Sequence, residues 1–280
     1  MQADISSIVF EDNFAETKAW SAEEFACEEH FQRTHRRSSD GRFIVAILFK
    51  HPVTELGNSK EKALQKFLSL ERKLSKDQGM KDKYCKFIHE HLSLGHMPWV
   101  LDEDDSVSYY MSHHPGIKSE SCTTKLRVVF DFSMPSSTDK SLNELQMVGP
   151  VIQPDLFDIF ISFREFRFVV SADIAKMYRQ VSIEPKQWAY QRIFWRESPS
   201  ALIEVFELNI VTYGQVSASF LAVRCLYQTD EECEFDVSSI IKSSFYVDDF
   251  LHLVDSIEKG VKIGNTVSAA LSGGGFKLRK

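Results

Sequence analysis

The sequence predicts an α+β fold in which helices lie beside a mostly antiparallel sheet, and three observations carry that expectation. Apolar residues recur at helical spacing, as at Ala63, Phe67, Leu70 and Leu74. From about residue 107 the pattern turns strand-rich, with short runs such as Leu126-Arg127-Val128-Val129-Phe130. Between Ile240 and Val254 the pattern reads as strand, tight turn and strand, the signature of a hairpin.

In chain order, residues 1–40 are polar and acidic around Trp20 to Phe25 and read as a connector or a short helical segment. Asp40-Gly41 is a turn before a buried strand, Phe43 to Phe49. Asn58 and Glu61 have capping-box spacing ahead of the Ala63–Leu74 stripe. Lys83 to Leu94 is a second helix, and the acidic run Asp102 to Asp105 marks a boundary. Phe166 to Ala172 and Phe206 to Val211 are strands, and Ser217 to Gln228 is a helix. Asp255 with Glu258 repeats the capping-box spacing and opens a helix along Ile257, Val261, Val267 and Leu271; Gly273 to Gly275 end it.

Hydrophobic residues make up 43% of the chain and charged ones 26%, values of a soluble globular protein, and 22 Phe supply core material. No apolar run is long enough to cross a bilayer, and the first residues lack a signal-peptide pattern, so the expected setting is intracellular. Five scattered cysteines fit reduced thiols. A net charge of −7 excludes a histone-like basic binder, yet leaves room for a local basic channel and an acidic metal site. His89, Glu90, His91 and His96 lack the spacing of a zinc helix and read as packing residues. No P-loop, nucleophile elbow or paired-cysteine motif is present.

The segment that carries chemistry is Phe245-Tyr246-Val247-Asp248-Asp249-Phe250-Leu251. Two adjacent acids between apolar strands repel each other, and a divalent cation removes that repulsion. A solvated turn is the plain alternative. A second acid, Asp173, ends the apolar run Val169-Val170-Ser171-Ala172. Three carboxylates on neighbouring strands, with a backbone carbonyl such as that of Ile174, suit a pair of magnesium ions.

These segments resemble motifs A, B and C of reverse transcriptases, and more narrowly the polyprotein of BEL/Pao-type LTR retrotransposons. Lys125 to Asp131, Ser141-Leu142-Asn143-Glu144, Gly149-Pro150, Asp173 to Val181, Gln191 to Arg196 and Gly274 to Lys280 are similar to that family in order and spacing. Cys27 to Phe31, Leu56 to Ser59 and Leu94 to Met97 resemble its region between protease and polymerase. The resemblance implies a connector over residues 1–106, then fingers and palm of a right-hand polymerase over 107–280, with a ferredoxin-like antiparallel palm sheet. It further implies that the chain stops before the thumb.

The resemblance also implies roles. Asp173, Asp248 and Asp249 would be catalytic and, with Ile174, would hold Mg2+ or Mn2+. Lys125, Arg127, Tyr178, Tyr213 and Gly214 would bind the deoxynucleoside triphosphate, Tyr178 by clashing with a 2′-hydroxyl. Tyr246, Val247, Gly275 and Phe276 would lie near the primer of an RNA or DNA template. The other implied partners are segments of the same polyprotein, in a cytoplasmic virus-like particle or the nucleus. The pattern departs from the family at Ala218-Ser219-Phe220, where Ser-Pro-Phe is usual, and at Tyr178 and Tyr213, where Phe is commoner. An inactive remnant that at most binds nucleic acid or a partner is the rival reading. A nucleotide cyclase is a weaker one, opposed by the segment at 125–131.

Overall fold

The computed structural model describes residues 19–101, 107–117, 126–155, 157, 166–231 and 235–279. Lys125, the acidic run at 102–105, Cys122, Cys233 and Lys280 lie outside the described residues.

Helix α1 (Ala22–Thr34) opens on a formed capping box between Ser21 and Glu24. Strands β1 (Arg36–Arg37) and β2 (Phe43–Val45) pair across the predicted turn at Gly41. The strand ends at Val45 and not at Phe49, because the Ile47 N–H goes to Gln187 Oε1 and the Leu48 carbonyl to Met147 N–H. Helix α2 (Lys60–Leu74) buries Ala63, Phe67, Leu70 and Leu74, as its periodicity requires. The expected capping box is absent: Asn58 accepts from Lys60 N–H, and the N-cap Ser59 gives its oxygen to Tyr110 N–H. Helix α3 (Gln78–Ser93) starts before Lys83, since Asp77 caps the Met80 N–H.

Strands β3 (Ser112–Ile117) and β4 (Leu126–Asp131) form an antiparallel pair, followed by the single turn α4 (Leu142–Leu145). Strand β5 (Phe168–Ile174) leads through a 3-10 turn to β6 (Ser182–Ile183), which runs parallel to β2. Strands β7 (Arg192–Trp195) and β8 (Glu204–Glu207) pair with each other. The segment after Glu207, predicted as strand to Val211, instead makes isolated contacts with Gln191, His96 and Val181.

Helix α5 (Ala218–Glu231) matches its prediction. Helix α6 (Phe235–Ser244) overturns the strand expected from Ile240: Val237 and Ile241, four residues apart, both face the core, and helical spacing outweighs the β-branched composition. Strands β9 (Phe245–Tyr246) and β10 (Asp249–Val254) then form the hairpin. Helix α7 (Ile257–Gly273) is capped by Ser256 on Lys259 N–H, not by a box from Asp255, which pairs with the Lys259 side chain. Val267 and Leu271 are buried, whereas Ile257 and Val261 remain exposed. Strand β11 (Leu278–Arg279) closes the described chain.

The central sheet has the order β11-β5-β10-β9, antiparallel throughout, with α6 and α7 packed against β5 and β10. Two cores flank it. The first joins Cys27, Phe31, Phe43 and Ile47 to Ile174, Phe220, Phe250 and Phe276. The second joins Phe67, Tyr84 and Ile88 to Tyr109, Phe130, Phe132, Trp195 and Phe206. Phe49 and Tyr190 pack against both and meet edge-to-face at 5.5 Å. Residues on both sides of position 106 therefore build both cores. No helix among the described residues is long and apolar enough to cross a membrane. Cys27, Cys85 and Cys225 are free thiols.

Candidate active site

The register of β5 against β10 places Asp249 directly opposite Asp173, and the Ile174 N–H donates to the Asp248 carbonyl at 2.8 Å. Side chains directly opposite on an antiparallel pair share one face, and like charges there are destabilising. Asp173, Asp248 and Asp249 line an open depression of about 340 Å³ together with Ser171 and Ala172. Burial pushes the Asp248 carboxyl above its usual range; Asp249 and Asp173 push the same way, against its own backbone N–H and Arg127. Val247, at the hairpin bend, has φ +58°, a left-handed conformation that β-branched residues resist.

On its other side β5 pairs with β11, which sets Arg279 opposite Asp173, and Arg279 Nε donates to Asp173 Oδ2 at 2.9 Å. The pair is largely solvated, so it is worth at most about 1 kcal/mol. All-oxygen carboxylate donors suit a hard divalent cation. As placed, no group of three His, Cys, Asp or Glu side chains among the described residues converges on one metal position. The donor chemistry fits such an ion, with Arg279 the competing cation on Asp173.

Next to the acids stand two tyrosines. Tyr178, two residues after Lys176 (φ +53°), is buried in the first core, and its ring lies 4.1 Å from that of Tyr213. Burial raises the Tyr178 hydroxyl, offset by a hydrogen bond from Ser219. The Tyr213 hydroxyl is raised by its partly enclosed position and by Asp248, with Arg127 opposing, although about half of the residue is exposed. Arg127, an exposed residue of β4, thus acts on both Asp248 and Tyr213. Gly214 has φ +103°, and a Cβ there would collide with the Phe130 carbonyl of β4, so only glycine lets the two backbones approach.

The hairpin carries Tyr246 and Val247 beside the acids. Gly275, at φ +80°, packs on the Arg42 side chain. The Phe276 ring is buried beside Phe43, so it faces the first core and not a surface strand. Of the four residues read as packing, His91 and His96 are buried, whereas His89 is exposed against Glu197 and Glu90 pairs with Lys176 and Arg179.

Sequence reasoning missed two contributors. Nothing local marks Arg279 as the partner of Asp173. Asn143 was legible only as part of the Ser141–Glu144 segment, yet its side chain bonds Ser133, Gly214 and Val216.

No protein-family model matches the chain, and no curated protein matches it. Solved structures do. A prototype foamy virus protease-reverse transcriptase superposes with a TM-score of 0.54 at 14% identity, over 72% of this chain and 24% of that one. A foamy viral protease-reverse transcriptase in complex with RNA/DNA hybrid gives 0.54 and 14%, over 71% and 23%. The fold resembles that of a retroviral reverse transcriptase. The chain spans about a quarter of the length of these reverse transcriptases, and the similarity is one of fold.

Proposed function

We propose that this chain is the fingers-and-palm portion of a BEL/Pao-type retrotransposon reverse transcriptase, which extends a primer on an RNA or DNA template. The observation that carries this reading is the register that puts Asp173 opposite Asp249, with Asp248 at the bend of the hairpin. Asp173 and Asp248, with Asp249 beside them and the Ile174 carbonyl, would hold Mg2+ or Mn2+. Bound there, the ions would supply charge neutralisation for the primer 3′-oxygen and the leaving pyrophosphate.

The remaining work falls to the chain's own side chains, and is mostly positioning. Arg127 attracts the triphosphate toward the acids, assisted by Lys125. Tyr178, buried under the more exposed Tyr213, would select deoxynucleotides by excluding a 2′-hydroxyl. Gly214 keeps the loop low enough for a base and sugar to lie on it.

Primer extension with magnesium tests the proposal. The unaltered chain should add deoxynucleotides, and Asp248→Asn should abolish addition. Template binding without extension by the unaltered chain supports the inactive-remnant reading instead, which the Arg279–Asp173 pair favours.

A further inference from the structure

Asn143 sits in the one-turn helix α4, yet α4 does not need its side chain. Ser141 and Glu144 already close that helix with a reciprocal capping box. The Asn143 amide is spent elsewhere. Its Nδ2 donates to Ser133 Oγ at 2.9 Å and to the Gly214 carbonyl at 2.8 Å, and its Oδ1 accepts from Val216 N–H at 3.1 Å. Its own backbone N–H donates to the Phe132 carbonyl at 3.1 Å. One residue thus ties the end of β4 to both sides of the Gly214–Gln215–Val216 loop.

The chemistry admits no substitute. Two donors and an acceptor on one short side chain describe asparagine alone. Aspartate keeps the acceptor and loses both donors; glutamine carries the same groups one carbon too far. The loop is further pinned where Ser217 Oγ donates to Gln146 Oε1 at 2.9 Å and where Gly214 rides on the Phe130 carbonyl. Its outer residue is Tyr213, 54% exposed, tilted against Tyr178 near Asp248 and Arg127.

We propose that Asn143 is a positioning residue that locks the 213–216 loop to the β4 lobe, so that Tyr213 is preset for the incoming deoxynucleotide. The inference rests on the polymerase reading. It predicts that nucleotide affinity depends on a residue that touches no nucleotide, because a preset surface avoids the ordering cost of binding.

The test uses the full chain with primed template. Amide exchange at Val216 reads the clamp, and dTTP binding with manganese reads the site. Asn143→Ala should deprotect Val216 and weaken dTTP binding roughly tenfold, while primed-template affinity holds. In extension assays the KM for dTTP should rise with kcat little changed. Asn143→Asp should keep Val216 protected and fall between the two. If the unaltered chain binds dTTP and Asn143→Ala binds it equally well, this inference fails alone. If the unaltered chain binds no dTTP while Val216 is protected, the polymerase reading fails and takes this inference with it.

Discussion

The two cores each bury one paired arginine but differ in their other ionisable groups: the second encloses neutral histidines, the first carries a crowd of acids at its edge. The second core encloses histidines and keeps them neutral beside the buried Arg192–Glu207 ion pair: His113 is buried between Tyr84, which bonds its Nδ1, and the Phe194 carbonyl on Nε2. Burial holds its imidazole down to about 4, and holds His96 at about 4 and His91 at about 3. The first core pairs its buried charge, Arg224 with Glu28, and crowds like charges at its rim, where Asp173, Asp248 and Asp249 line one end of the β5–β10 pair. Arg279 relieves the crowding only on Asp173, and in the function proposed above a divalent cation would relieve the rest.

The strongest way to break this contrast is to ask whether the cores are separable. Phe130→Ala removes a ring buried against Phe87, His91 and His113, and should cost about 3 to 5 kcal/mol. Denaturant unfolding followed by amide exchange checks it. If Phe49 and Tyr190 couple the cores, protection falls in β5 and β10 as well as in β3 and β4; loss confined to β3 and β4 shows independent lobes.

Acid should separate them next. The folded His113 pKa is depressed below its ordinary 6.5, so the unfolded chain binds the proton first. Stability is therefore intact above about 6.5 and is lost as pH falls toward 4, by about 3 kcal/mol for His113 alone. Urea unfolding between pH 7.5 and 4, with exchange in β3–β4 compared with β5–β10, reads the difference. Equal loss in both sheets would contradict the contrast.

A smaller effect belongs to the first core. Ser256→Ala removes the cap of α7 and should cost about 1 kcal/mol in thermal unfolding, with the Lys259 amide exchanging faster. The smallest effect has the opposite sign. Asp248→Asn relieves a desolvated, mutually repelling carboxylate, so the metal-free chain should melt higher at neutral pH. The Asp248 pKa is raised on folding, so the gain fades as pH falls into the carboxylate range. A lower melting temperature would mean that Asp248 is structurally satisfied and the rim is not strained.

Much of this was readable along the chain. The α2 stripe, β4, the run into Asp173, α5 and the hairpin around Asp248 were all visible, because each is set by spacing within about a dozen residues. The caps of α2 and α7 were misread by one residue, since Asn58, Ser59, Asp255 and Ser256 all suit a cap and only backbone geometry chooses among them. Helix α6 was misread as strand because Ile240 and Ile241 favour strands locally, while packing against α5 and α7 decided otherwise.

By itself, then, the sequence determined which segments are apolar on one side, and that three acids end up at the tips of such segments. Tertiary structure decided who stands opposite whom: Asp249 across from Asp173, Arg279 on its other flank, Asn143 reaching from α4 to Gly214 and Val216. The physical reason is range. Periodicity is a property of neighbours in sequence, whereas register and side-chain clamps depend on strands far apart in the chain whose alignment the whole core must set.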